Sequence, residues 1–155
     1  MDTAQHLDLI LPSKGWRCVG SLDNGRFNNL YGQDNAWAVA TAQRISEKGY
    51  DAYIAMAGLA GPGSRTQENA AWMRSNWIDV DTRESKPAEK YATRKEAVVE
   101  LHKFCALIGL PLPFVSSSGY GLHIWWVYDQ DVPSDQWKIT ACPASAPMRQ
   151  IEGIG

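Results

Sequence analysis

Cysteine is scarce in this sequence, and what there is does not cluster. Cys18, Cys105 and Cys142 are odd in number, far apart and form no CxxC pair. That spacing argues against a zinc-ligand set and a disulfide framework, and it suits a reducing cytosol. Long apolar runs are missing as well. None approaches the ~20 residues that a helix needs to cross a bilayer. Met1 is followed by a polar, acidic start, so no signal peptide is expected. Charge of one sign is also lacking. Fifteen Lys and Arg face seventeen Asp and Glu, a net charge of -2, so no global basic surface announces nucleic acid, although a local groove stays open to it. Internal repeats and low-complexity linkers are absent. What is present is 155 residues with 45% hydrophobic content, enough for the core of one domain. The expected location is cytoplasmic, with no membrane partner.

Local signals divide the chain. The stretch from Gly15 to Gly32 reads as a hairpin turning at Asp23-Asn24-Gly25, where Asn and Gly tolerate positive φ. A helix is expected from Ala36 to Lys48, capped by Asp34 or Asn35 and stopped by Gly49. "AYIAMAG" reads as a short strand. A glycine-rich loop follows and runs into a short helix, and then "NWIDVD" reads as a central strand. Thr93 and Glu96 form a capping box for a helix in which Val98, Leu101, Cys105 and Ile108 recur at helical spacing. Gly109 ends that helix and Pro111 prevents its continuation. "PFVSSSGYGLHIWWVY" is two strands joined at Gly119-Tyr120-Gly121. Leu122, Ile124, Trp126 and Tyr128 share one face of the second strand, and His123, Trp125 and Val127 the other. Beyond Trp137 no periodicity is sustained, so residues 138–155 read as an irregular tail behind a domain of residues 1–137. The order β-β-α-β-(α)-β-α-β-β points to an α+β or α/β layer structure with helices on one sheet face.

Two stretches carry chemistry. In "WIDVD" an extended strand points Asp79 and Asp81 at the same face, with Ile78 and Val80 turned into the core. Aspartate is depleted in strands, and two carboxylates this close repel unless a cation sits between them. A hard cation such as Mg²⁺ is held by one or two carboxylates plus substrate phosphates. The alternative is an edge strand with two solvated aspartates. In "SSSGYGLHIWW" a Ser- and Gly-rich turn lets backbone N–H groups approach an anion, and His123 follows one residue into a strand. The alternative there is an ordinary hairpin with a structural histidine. Arg65, Lys86 and Lys90 flank these motifs in a region holding seven of the fifteen basic residues, where they could meet phosphates or lie as a solvated surface. Trp125, on the face of His123, could stack a base, whereas Trp126 suits the core.

Together, "WIDVD" and "KPAEKYATRKEAVVELHKFCALIGLPLPFVSSSGYGLHIWWVY" resemble the archaeo-eukaryotic primase superfamily, and within it the primase–polymerases of phages and mobile elements. The family's first motif, hydrophobic-Asp-hydrophobic-Asp, is matched by Ile78-Asp79-Val80-Asp81. Its second, small-x-His, is matched by Gly121-Leu122-His123. The resemblance covers Trp77 to Trp137 best and is weaker from Gly15 to Asn76. It implies an RRM-like palm sheet beside a small N-terminal α/β part. It also implies a DNA primase–polymerase nucleotidyltransferase working on nucleoside triphosphates and a single-stranded DNA template, with a replicative helicase as a further partner. Asp79 and Asp81 would hold Mg²⁺ or Mn²⁺. His123, with Ser117, Ser118, Gly119 and Gly121, would contact the triphosphate.

The family's third motif, a further hydrophobic-Asp, has no convincing match. Asp129, Asp131 and Asp135 lie too near His123. The expectation is therefore an incomplete catalytic domain. Its rivals are a non-catalytic nucleotide- or single-strand-binding module of the same fold, and a metal-dependent nuclease or replication initiator. Initiators use a His-hydrophobe-His pair, and none is present.

Overall fold

The computed structural model describes residues 3–23, 25–83, 89–119 and 121–141. They form an α+β structure with two antiparallel sheets. Helix α1 (Thr3–Ile10) precedes the hairpin β1 (Arg17–Asp23) and β2 (Arg26–Gly32), and α2 (Asn35–Glu47) and β3 (Ala52–Ile54) follow. Then come β4 (Gly58–Leu59), β5 (Ala70–Val80), α3 (Arg94–Ile108), β6 (Phe114–Ser117), β7 (Leu122–Pro133) and α4 (Ser134–Ala141). The small sheet runs β2-β1-β3 and the larger one β4-β5-β7-β6. "AYIAMAG" thus splits between the sheets, β3 joining one and β4 the other.

The hairpin forms where expected. Asp23 pairs with Arg26, and Gly25 takes a φ of 77°; Asn24 lies outside the described residues. Asp34 caps α2 by accepting from the Trp37 N–H at 2.7 Å. Val19, Ala38 and Ile45 make the core between α2 and the small sheet. The capping pair of α3 forms with one shift: Thr93 Oγ1 accepts from the Glu96 N–H at 3.2 Å, and Glu96 Oε2 reaches back to the Ala92 N–H at 2.7 Å, one residue before the cap. Gly109 ends the helix at a φ of 71°. Ala97, Leu101 and Cys105 of α3 pack on Leu122 and Ile124 of β7, with Val80 and Val115 beside them.

Four expectations are corrected. Helices lie on both faces of the larger sheet, not one: α3 covers the Ile124 face, while Leu7 and Ile10 of α1 pack with Trp125 on the other. Ile78 is not in the core. It is 46% exposed, because α3 reaches Val80 and leaves Ile78 uncovered. The chain does not become irregular at residue 138, since α4 continues to Ala141 with Trp137 stacked on Trp77 at 5.8 Å. The central strand is also longer than "NWIDVD" suggests at its start and shorter at its end, for β5 closes at Val80. No described helix is long and apolar enough to cross a membrane.

Candidate functional site

Asp79 and His123 come together as the strand periodicity requires. β5 and β7 are the two inner strands of the larger sheet, and Asp79 is the register partner of His123. Directly opposed residues in an antiparallel pair project from the same face. His123 Nε2 lies 3.7 Å from Asp79 Oδ1, and both side chains are open to solvent, at 44% and 62% exposure. On the far side of His123 its partner is Ser116 of β6. An exposed carboxylate, an imidazole and a hydroxyl-bearing residue therefore form one row across the sheet. The next row is Trp77, Trp125 and Phe114.

Asp81 stands one residue past the end of β5, so strand alternation no longer fixes its side chain. Its backbone lies against the turn joining β6 and β7. A Cβ on Gly121 would fall 2.4 Å from the Val80 carbonyl oxygen and 3.3 Å from the Asp81 Cα. The acidic end of β5 and the Ser/Gly turn thus share one end of the sheet. Among the described residues, no three His, Cys, Asp or Glu side chains converge as a metal-ligand group.

The turn directs its polar groups partly inward. The Ser118 N–H donates to the Gly121 carbonyl at 3.1 Å, and the Gly119 N–H donates to Ser117 Oγ at 3.3 Å. These two N–H groups therefore face the turn itself and not a ligand, contrary to the expected backbone cradle. Gly119 has a φ of 99°, a conformation few side chains tolerate. Arg94, at the start of α3, donates to Ser117 Oγ at 2.8 Å. The turn thereby acquires a guanidinium that its own sequence does not announce. The only sequence signal for it is the place of Arg94 immediately after the capping Thr93.

The other basic candidates are dispersed. Arg65 lies over the Phe27 ring at 4.5 Å, on β2 of the small sheet. Lys90 sits 5.6 Å from the Tyr91 ring, and its carbonyl accepts from Arg83 at 2.7 Å. Lys86 lies outside the described residues. Trp125 shares the face of His123 but is only 6% exposed, so it is a core residue and offers no ring for stacking. α1 covers it, and its indole N–H donates to Ser116 Oγ at 3.2 Å. Trp126 packs beside the α3 core as expected.

Asp131, one of the three downstream carboxylates, is committed elsewhere. Its Oδ2 accepts from the Ser13 N–H, the Ser13 hydroxyl and the Lys14 N–H at 2.8–2.9 Å, and Arg74 lies 3.6 Å away. Sequence position alone sets His6 apart from His123, yet both rings meet the Trp125 indole. The His6 ring lies 5.5 Å from Phe114 and 5.8 Å from Trp125, and burial, then the nearby His123, push its pKa down. A groove of about 710 Å³ lies between α3, β5, β7 and Trp137, with Trp77 at its edge. Phe104, Leu110, Trp126 and Trp137 line it with the polar Asn76 and Tyr128, and among the described residues no cationic side chain does. No family model matches the chain, and neither does any curated protein or solved structure.

Proposed function

We propose that this chain is a primase–polymerase-type domain on an RRM-like palm, binding a nucleoside triphosphate together with Mg²⁺ or Mn²⁺ at the Asp79–His123 face, with single-stranded DNA as template. The observation that carries this reading is the register pairing of Asp79 with His123 on the two inner strands, side by side on one open face. The donor set suits a hard cation: Asp79 presents exposed carboxylate oxygens, and Asp81 follows at the same end of the sheet. A bound divalent cation would supply charge stabilisation and alignment for in-line nucleotidyl transfer. His123 donates an imidazole N–H toward the phosphates. Arg94 and Ser117 place charge and a hydroxyl at the turn where those phosphates would end.

A second reading, binding without turnover, is favoured by the carboxylate inventory. Asp81 lies past the strand and Asp131 is held by the Ser13–Lys14 backbone, so among these three carboxylates Asp79 is the one that strand register fixes beside His123. The test pairs calorimetry with ATP and dATP against primer extension on a single-stranded template with Mn²⁺. The expected result is nucleotide binding that His123→Ala weakens by about 1–3 kcal/mol, as for a lost hydrogen bond to a charged group. Extension abolished by Asp79→Asn establishes the enzyme. Binding without extension establishes the binder. No nucleotide binding at any concentration removes both.

A further inference from the structure

The site has a second imidazole that its motifs do not contain. His6 belongs to α1, whose Leu7 and Ile10 are buried with Leu11 against Trp125. That packing fixes His6 over the β6–β7 side of the sheet. The rings of His6 and His123 each lie 5.8 Å from the Trp125 ring, both edge-on, at 76° and 78°. Trp125 is itself pinned through its indole N–H to Ser116 Oγ, so the surface both imidazoles flank is a fixed one. His6 is partly exposed as a residue, and α1 docks on the Trp125 face of the sheet, which also carries Asp79 and His123. Two imidazoles from elements 117 positions apart are thus brought to one indole only because α1 docks there.

We infer that His6 is a second substrate-contacting residue, donating an imidazole N–H to the phosphate chain beside His123; the inference rests on the proposed nucleotide reading. A neutral imidazole retains one N–H donor, so the contact needs no proton uptake. A phosphate chain is long enough to meet donors from two elements, and charge-assisted hydrogen bonds of this kind are the strong ones.

The decisive variant is His6→Phe, which keeps an aromatic ring against Trp125 and Phe114 and removes the donor. Calorimetry with ATP and with inorganic tripolyphosphate is paired with thermal melting. The expected result is a loss of roughly tenfold to a hundredfold in affinity for both probes, with melting little changed. His6→Gln, which restores an N–H donor, should recover part of that affinity. If wild type binds and His123→Ala weakens binding while His6→Phe binds as wild type does, His6 is a packing residue and the inference falls alone. A loss for ATP but not for tripolyphosphate also overturns it, because the phosphates are then not what His6 contacts. If wild type binds neither probe, the nucleotide reading fails and takes this inference with it. Should His6→Phe melt much lower, the imidazole resonances of wild-type His6 decide: a shift on adding tripolyphosphate upholds the contact, and no shift overturns it.

Discussion

The carboxylate of Asp79 and the imidazole of His123 owe their place side by side to strand register. The tightest constraint near them is steric and belongs to Gly121. Its Cα approaches the Val80 carbonyl so closely that any side chain would intrude, with a Cβ only 2.4 Å from that oxygen. Gly121→Ala should cost about 1–3 kcal/mol, the range for overpacking a tight site, and should weaken nucleotide binding by moving the turn relative to Asp81. Chemical denaturation and calorimetry check the two effects. His6 gives a second prediction at this scale. Burial, and then His123, lower its pKa from the ordinary 6.5. The unfolded chain therefore takes up the proton first as pH falls, so the contribution of His6 to stability is intact above about 6.5 and declines as pH drops below it. Melting temperatures measured from pH 7 to pH 5 should fall less steeply for His6→Phe than for wild type. Equal slopes would show that His6 titrates as an exposed histidine.

Elements differ in how plainly the sequence encodes them. α3 is written locally: the Thr93–Glu96 box, the apolar spacing of Leu101 and Cys105, and Gly109 all act within the helix, and each appears in the structure. Thr93→Ala should cost about 0.5–2 kcal/mol through loss of the cap, measurable by denaturation, and should loosen the Arg94–Ser117 bond next to it. α1 is different. Its eight residues hold few apolar positions, and they become a buried face only against Trp125, more than a hundred positions away. Strand alternation was enough to place Asp79 and His123 on one face, because that depends only on a period of two. It could not show that β5 stops at Val80, which depends on the pairing of Val80 with Leu122 and on the close approach of Gly121. Trp125 shows the same limit: the alternation gives its face, and only the docked helix decides that the face is covered there.

At the scale of the whole molecule, one carboxylate joins distant parts of the chain. Asp131 lies near the end of β7 and gathers the backbone of Ser13 and Lys14, the Ser13 hydroxyl and the side chain of Arg74. Next to that loop, Arg17 is buried at 1% exposure, donates to the Pro12 and Lys14 carbonyls and bonds Asn35 at 2.7 Å. The segment leading into the small sheet is thus tied to the larger sheet at Asp131, and through Arg17 to α2. A carboxylate in this position serves folding, whereas Asp79, exposed beside His123, is available to a cation. The two should separate cleanly in experiment. Asp131→Ala leaves three donors without their acceptor and removes the carboxylate beside Arg74, and should lower stability by about 1–3 kcal/mol, as for donors left unsatisfied. Any rise in melting temperature that Mn²⁺ gives the wild type should survive in Asp131→Ala, because a ligand that binds only the folded state stabilises it whatever its starting stability. Asp79→Asn should behave in the opposite way: its melting temperature without metal should equal or exceed that of wild type, since a negative charge near Asp81 is removed, and the Mn²⁺-dependent rise should vanish. Thermal melts of the three proteins with and without Mn²⁺ make the comparison. Loss of the metal response in Asp131→Ala, at a temperature where that variant is still folded, would mean that Asp131 serves the site and that the division of labour drawn from its hydrogen bonds is mistaken.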